Sequence, residues 1–199
     1  MVRIKQEERL HIMGQTRQRL LDAAAEEFAR AGYPDANINT ISTVAGYAKG
    51  TIYNYFPSKR ALLLALVDAT ARQHLDFIRD QVRPEPEPAR RLIRFYQAGF
   101  EFVTRNLPQA RVLFNTIYGS DEQFKSHVFK AYQPMFKYVA DEILAPGIDQ
   151  RMFQPVEPSS MAMLLMTIYL GTASQLDALG HPRLDPLQVA ALALNGLSR

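Results

Sequence analysis

The chain has 199 residues and a mass of 22.6 kDa, enough for one large domain or for two small ones that share a long helix. Hydrophobic residues make up 47% and charged residues 22%, which excludes a disordered chain and allows a core. The absence of cysteine excludes disulfides, thiolate metal sites and thiol catalysis, whereas a net charge of +3 and a pI of about 9.2 permit nucleic-acid binding without requiring it.

The first 60 residues hold the whole excess of positive charge, nine Lys or Arg against six Asp or Glu. Residues 1–15 mix charge with a few apolar side chains up to Gly14, which predicts a basic N-terminal arm. No apolar segment typical of a signal peptide follows the first Met. The longest apolar run, 161–166, is far shorter than the roughly 18 residues of a membrane span. We therefore expect a cytoplasmic protein without a membrane partner.

The first two helices are predicted from caps and apolar spacing. Thr16 can cap a first helix, and Gly32 supplies a left-handed stop. Asn37 can cap a second helix, and Gly46 makes the turn that follows.

A third and a fourth helix follow the turn. The third is predicted to begin near Ala48 and to present Ile52 and Phe56, at i and i+4, to the core. Ser58 can cap a fourth helix that continues to Val82. A helix of that length can join a small head to the body behind it.

Alternating prolines mark the clearest boundary in the chain. Pro84, Pro86 and Pro88 favour a short extended link. Beyond it, apolar spacing with Pro at starts and Gly at stops predicts helices at 89–106, 108–118, 121–144, 158–179 and 185–197. No segment alternates with a period of two, so the predicted fold class is all-α.

The segment 37–56 is typical of a helix-turn-helix, whose second helix enters the major groove of DNA. Its polar side chains are of the types that contact bases and phosphates, and two asparagines begin the helix before it, where backbone N–H groups attract a phosphate. A lysine on the fourth helix can anchor the opposite flank. The predicted DNA contacts are Asn37, Asn39, Lys49, Gly50, Thr51, Tyr53, Asn54, Tyr55 and Lys59.

The run from Gly46 to Phe56, with the pattern G-x-x-K-G-T-x-Y-x-Y-F, followed by Ser58-Lys59, resembles the TetR family of bacterial transcriptional regulators. The first predicted helix is similar to the family's first helix, and the resemblance covers about residues 16–66. Ala48 stands where the family commonly has a capping Ser, and Asn37 where it commonly has Thr. The first departure weakens a cap, and the second is a fair replacement.

The resemblance implies a homodimer that binds a near-palindromic operator, usually as a repressor released by a small molecule. It also implies that the nine residues named above are those that contact DNA. The matching positions cover only the first third of the chain, and the remainder is similar to the family only in its number of helices.

The region between the proline link and the last two helices is rich in aromatic residues and methionine, which suits a pocket for a hydrophobic or aromatic effector such as an acyl chain or a drug-like molecule. The candidate pocket residues are Phe95, Phe100, Phe114, Tyr118, Phe129, Tyr132, Phe136, Met166 and Tyr169. Polar candidates nearby are Arg111, Asn115, His127, Gln133 and Gln175.

The helix at 158–179 is apolar nearly all round, so it must be buried on every side. Together with the helix at 185–197 it predicts a dimer interface in which two helices from each subunit form a four-helix bundle. A wholly intramolecular core is the alternative.

The sequence thus predicts an N-terminal arm (1–15), a DNA-binding domain (16–60) and an effector-binding and dimerisation domain (61–199). No nucleophile–base pair, metal-ligand spacing or phosphate-binding glycine loop is present, so we expect neither an enzyme nor a cofactor or metal. The rival interpretation is an all-α small-molecule carrier or enzyme whose head-like segment is incidental.

Overall fold

The computed structural model describes residues 6–198, which form α-helices joined by short turns. The helices are α1 (Gln6–Asp35), α2 (Ile38–Val44), α3 (Lys59–Val82), α4 (Pro88–Arg105), α5 (Leu107–Ile117), α6 (Glu122–Tyr138), α7 (Ala145–Asp149), α8 (Pro158–Ala173) and α9 (Pro186–Leu197). A 3₁₀ helix covers Thr51–Asn54, and a π-helix, Val139–Leu144, connects α6 to α7. Within residues 6–198 there is no β-strand, so the all-α prediction is confirmed.

The chain divides into two compact units, a head up to Ala69 and a body from Thr70 onward. The division falls within α3, later in that helix than the predicted boundary between residues 60 and 61.

The first helix of the head starts earlier than expected. It begins at Gln6, so the part of the predicted 1–15 arm that the structure describes is helical, and residues 1–5 lie outside the described residues. Thr16 is therefore no cap: it is buried inside α1 and accepts a hydrogen bond from the Tyr47 hydroxyl at 3.1 Å. Good helix formers on either side of Gly14 outweigh its cost of about 1 kcal/mol. Gly32, the predicted stop, interrupts α1 with φ of +75°, and a short helical segment continues beyond it to Asp35.

The helix-turn-helix has the predicted turn but a shorter second helix. Gly46 makes the turn with φ of +80°, yet the segment predicted as a helix opening at Ala48 forms a 3₁₀ helix from Thr51 to Asn54. No side chain caps it, and glycine, β-branched and aromatic residues are weak helix formers. Ile52 is buried as expected.

Ser58 caps α3, as predicted. Its hydroxyl accepts a hydrogen bond from the backbone N–H of Ala61 at 3.1 Å.

The body packs α4 against α8 and α9 around buried aromatic side chains. The contact between α4 and α8 is close at Gly99, where a Cβ atom would lie 2.5 Å from the Tyr169 ring. In the single chain Met163 and Leu164 of α8 are about half exposed, so complete burial of α8 would need a second subunit and stays a prediction.

The predicted helix at 158–179 ends at Ala173 instead. The Asp177 carboxylate accepts backbone N–H groups of Leu179 and His181 and folds the following segment into a turn.

Candidate nucleic-acid interface and effector cavity

The 3₁₀ helix of the head presents polar side chains outward while its apolar side chains anchor it. Tyr53 is 51% exposed, and Lys49 and Asn54 are also exposed. Thr51 and Tyr55 are half-buried, and Ile52 and Phe56 are in the core. The side chains predicted to contact DNA therefore lie at the surface of the head, where a partner can reach them.

Gly50 has a conformation that any residue adopts, with φ of −77°, and a Cβ atom there would meet nothing within 4 Å. The fold of the head therefore does not require glycine at this position. Its small size leaves open space beside the polar side chains, which suits close approach of another molecule.

Asn37 and Asn39 are both exposed at the beginning of α2. The Asn37 side chain accepts the backbone N–H of Asn39 at 2.8 Å, which is the predicted cap. The side chain of Asn39 is exposed and takes no part in this cap.

Lys59 has a more specific environment than the sequence suggested. Its ammonium group donates to the carbonyl oxygens of Pro34 at 2.8 Å and Ala36 at 3.1 Å. It also lies over the Tyr33 ring, 5.2 Å from the centroid. A phosphate contact by Lys59 stays a prediction. In the structure its ammonium group binds two backbone carbonyl oxygens of the same head.

Glu27 is a residue of the head that the sequence analysis missed. It is only 4% exposed, and its carboxylate accepts the backbone N–H of Asn37 at 3.0 Å and pairs with Arg30 at 2.6 Å. The hydrogen bond from Asn37, opposed by burial and assisted by Arg30, holds the pKa of Glu27 below its usual value. Its position one turn beyond Ala23 and Ala24, on the buried side of α1, is the signal that could have identified it.

The body contains an apolar cavity of about 410 Å³ among α5, α6 and α8. Three of the nine predicted pocket residues line it, namely Phe129, Tyr132 and Phe136. The remaining lining residues are Ile117, Glu122, Lys125, Ser126, Val128 and Leu170. Lys125 and Glu122 form an ion pair at 2.8 Å, so the cavity has a charged edge and an otherwise apolar wall.

The other predicted pocket residues lie elsewhere in the body. Phe95, Phe100, Phe114, Met166 and Tyr169 are buried in its core, and Tyr118 is 59% exposed. The assignment of an effector to this region remains a prediction. A larger groove of about 730 Å³ carries both acidic and basic side chains, which does not match the apolar pocket expected from the sequence.

Tyr132, which lines the cavity, is also the first member of a buried hydrogen-bond network in the body. His74 of α3 lies between the hydroxyl groups of Tyr132, 3.3 Å from Nδ1, and Tyr169, 3.1 Å from Nε2. The Tyr169 hydroxyl donates to the Gly99 carbonyl at 3.0 Å, so it accepts from Nε2–H, and Nδ1 accepts from Tyr132. A neutral imidazole thereby satisfies the hydrogen-bonding atoms of His74 and of both tyrosine hydroxyls.

Burial lowers the pKa of His74 to about 3, which agrees with the neutral form that the hydrogen bonds require. The ring stacks on Phe102 with centroids 4.2 Å apart. The sequence analysis did not single out His74, because its partners Tyr132 and Tyr169 lie far along the chain.

No helix within residues 6–198 is both long and apolar enough to cross a lipid bilayer. Over the same residues, no three His, Asp or Glu side chains gather in a way that could hold a metal ion.

Comparison with known proteins points to one family. Residues 20–66 match the family model described as bacterial regulatory proteins, tetR family. The transcriptional activator FasR of Mycolicibacterium smegmatis is 29% identical over 127 residues, 64% of this chain and 58% of FasR. The transcriptional repressor KstR2 of Mycobacterium tuberculosis is 29% identical over 150 residues, 68% of each protein. The chain thus aligns with less than two thirds of the length of FasR.

The structure of the regulator FadR from Bacillus subtilis in complex with stearoyl-CoA has a TM-score of 0.75 and 18% identity, and the match covers 89% of this chain and 95% of FadR. At that identity the likeness shows a shared fold. The helix-turn-helix and the family model that matches it agree: the head of the chain, residues 20–66, belongs to the TetR family of bacterial regulatory proteins.

Proposed function

We propose that the chain is a sequence-specific DNA-binding transcriptional regulator and acts as a repressor. The observation that carries the proposal is the exposed polar surface of the 3₁₀ helix, with Lys49, Tyr53 and Asn54 outward and Ile52 buried. Since the bases of B-DNA are read in the major groove, a segment anchored by apolar residues with a polar tip has the required form. Acting on DNA also implies a cytoplasmic protein.

The predicted DNA contacts in and beside the 3₁₀ helix differ in the groups of DNA that they can bind. The Lys49 ammonium can donate to guanine or to a phosphate, the Thr51 methyl can meet a thymine methyl, and the tyrosine hydroxyls suit phosphate oxygens. Phosphate contacts fix the register of the head on the duplex, and contacts to base edges specify the sequence.

We expect Lys49→Ala and Tyr53→Ala each to weaken operator binding by about 1–3 kcal/mol, because each removes a contact without disturbing the buried anchors. The measurement is fluorescence anisotropy with a duplex selected by the wild-type protein. Tyr118→Ala, at an exposed tyrosine of the body, is the matched control and should bind as the wild type does. Wild-type affinity in both head variants would refute the assigned interface.

The proposed assembly is a homodimer through the region of 158–179 and 185–197. The supporting observation is that Met163 and Leu164 of α8 and Leu187 and Leu192 of α9 are each at least 48% exposed in the single chain. Apolar side chains on two neighbouring helices are suited to an isologous four-helix contact, which removes them from water.

The proposed effector is a hydrophobic small molecule that enters the cavity lined by Phe129, Tyr132 and Phe136 and releases the repressor from a palindromic operator. The apolar wall supports an acyl chain or a similar apolar group. FadR of Bacillus subtilis, which shares the fold, has been solved with stearoyl-CoA, and this supports the same chemical class.

The alternative from a different class, an all-α carrier or enzyme, predicts ligand binding without DNA binding. A carrier would show no salt-dependent affinity for duplex DNA, whereas a regulator that neutralises phosphates loses affinity linearly with the logarithm of salt concentration. The match of the head to the TetR family model and its exposed polar side chains favour the regulator.

A further inference from the structure

The segment 34–37, called the 34–37 loop below, comprises the last two residues of α1 and the two residues before α2, and it is held from two sides by side chains of opposite charge. On one side, the Lys59 ammonium donates to the carbonyls of Pro34 and Ala36 at 2.8 and 3.1 Å. On the other, the buried carboxylate of Glu27 accepts the N–H of Asn37 at 3.0 Å. Neither Lys59 nor Glu27 belongs to the loop, so the loop is tied to both α3 and α1.

Each charge lies at the helix end that it complements. The last carbonyls of a helix have no partner within it and carry partial negative charge, which the Lys59 cation satisfies at the end of α1. The first N–H groups of a helix carry partial positive charge, which Glu27 satisfies through Asn37 at the beginning of α2. Arg30 pairs with the second oxygen of Glu27 at 2.6 Å and fixes the carboxylate.

The two interactions determine where α2 begins. Asn37 is held by its backbone N–H to Glu27, and its side chain in turn caps α2 through Asn39. Ile41 then packs in the core. A shift of the 34–37 loop would therefore move Asn37 and Asn39, which the sequence analysis assigned to the interface.

The Lys59 ammonium has three N–H donors, and two are engaged with carbonyls while the group lies over the Tyr33 ring. Movement toward a phosphate would break those bonds. We infer that Lys59 and Glu27 are positioning residues that fix the 34–37 loop, and that Lys59 supports DNA binding through this loop and not by neutralising a phosphate. The inference rests on the DNA-binding function proposed above.

The first test uses the intact protein without DNA. We expect Lys59→Met and Glu27→Gln each to accelerate amide hydrogen exchange at Asn37 and Asn39 by about tenfold, because each variant loosens the loop. Lys49→Met removes an exposed lysine of the same head and should leave both exchange rates unchanged. Unchanged exchange in both loop variants would overturn the inference, whether or not the protein binds DNA.

The second test measures affinity for the duplex that the wild type selects most strongly from a random pool, over a range of salt concentrations. Loss of one phosphate contact lowers the slope of log affinity against log salt by about 0.9. Lys59→Met should weaken binding about tenfold with an unchanged slope, since it acts through the loop. Glu27→Gln/Lys59→Met should weaken binding less than the product of the two single effects, because both variants release the same loop.

A slope that falls by about 0.9 in Lys59→Met would show a direct phosphate contact and contradict the inference. Independent effects in the double variant would show that the two residues do not act through one loop and would also contradict it. A wild-type protein that selects no duplex would refute the proposed function instead. The exchange experiment would still decide the role of the loop.

Discussion

His74 shows how one buried side chain constrains the body. A charged imidazole would also donate from Nδ1, the atom that accepts from the Tyr132 hydroxyl in the neutral form, and the surroundings are aromatic. The neutral form is therefore favoured by both the hydrogen bonds and the burial, and the pKa falls from 6.5 to about 3. In the unfolded chain the same residue titrates near its ordinary value.

This difference predicts how stability depends on pH. Because the folded pKa of His74 is depressed, the unfolded state binds the proton first, and stability is lost as pH falls below about 6.5. We expect this residue to cost about 2 kcal/mol between pH 7.5 and pH 5, measured by urea unfolding followed by circular dichroism. His74→Leu should remove that part of the pH dependence. The same pH dependence in both proteins would mean that folding does not lower the pKa of His74.

Individual helices were predictable where local chemistry determines their ends. Pro158 and Pro186 begin α8 and α9, and the residues before them accept backbone N–H groups from the first turn. Ser58 caps α3 for the same reason.

Two other ends were missed although local chemistry determines them. Gly14 does not interrupt α1, which starts at Gln6, and the Asp177 carboxylate closes a turn after α8. Contacts between helices could not be predicted because they depend on distant parts of the chain. Tyr132 and Tyr169 were predicted as pocket residues on composition alone, and only the fold separates the wall of the cavity from the core.

The cavity among α5, α6 and α8 gives a prediction that discriminates between lining and non-lining residues. With stearoyl-CoA at about 100 times its Kd, binding should stabilise the fold by about 2.7 kcal/mol and raise Tm by about 5–10 °C. Phe129→Asp, in the cavity wall, should abolish the rise, because a carboxylate opposes an apolar ligand.

Tyr118→Asp is the matched control for that experiment, since Tyr118 was a predicted pocket residue but does not line the cavity. It should keep the rise in Tm. Equal rises in both variants would exclude the cavity as the binding site.

The whole chain combines a head with a polar tip and a body with an apolar surface. Met163 and Leu192 belong to that surface, and their exposure in one chain is the physical reason to expect two chains. A two-fold symmetric dimer presents two copies of the 3₁₀ helix, so its operator must carry the same symmetry. DNA recognition and dimerisation are therefore tested together by the symmetry of the preferred DNA.

Selection of bound duplexes from a random pool by the full-length protein measures that symmetry. We expect an enriched motif with two inverted half-sites whose centres lie about one helical turn, or a multiple of it, apart. A pool without enrichment, or a single half-site with no inverted copy, would contradict the account of a dimeric DNA-binding regulator.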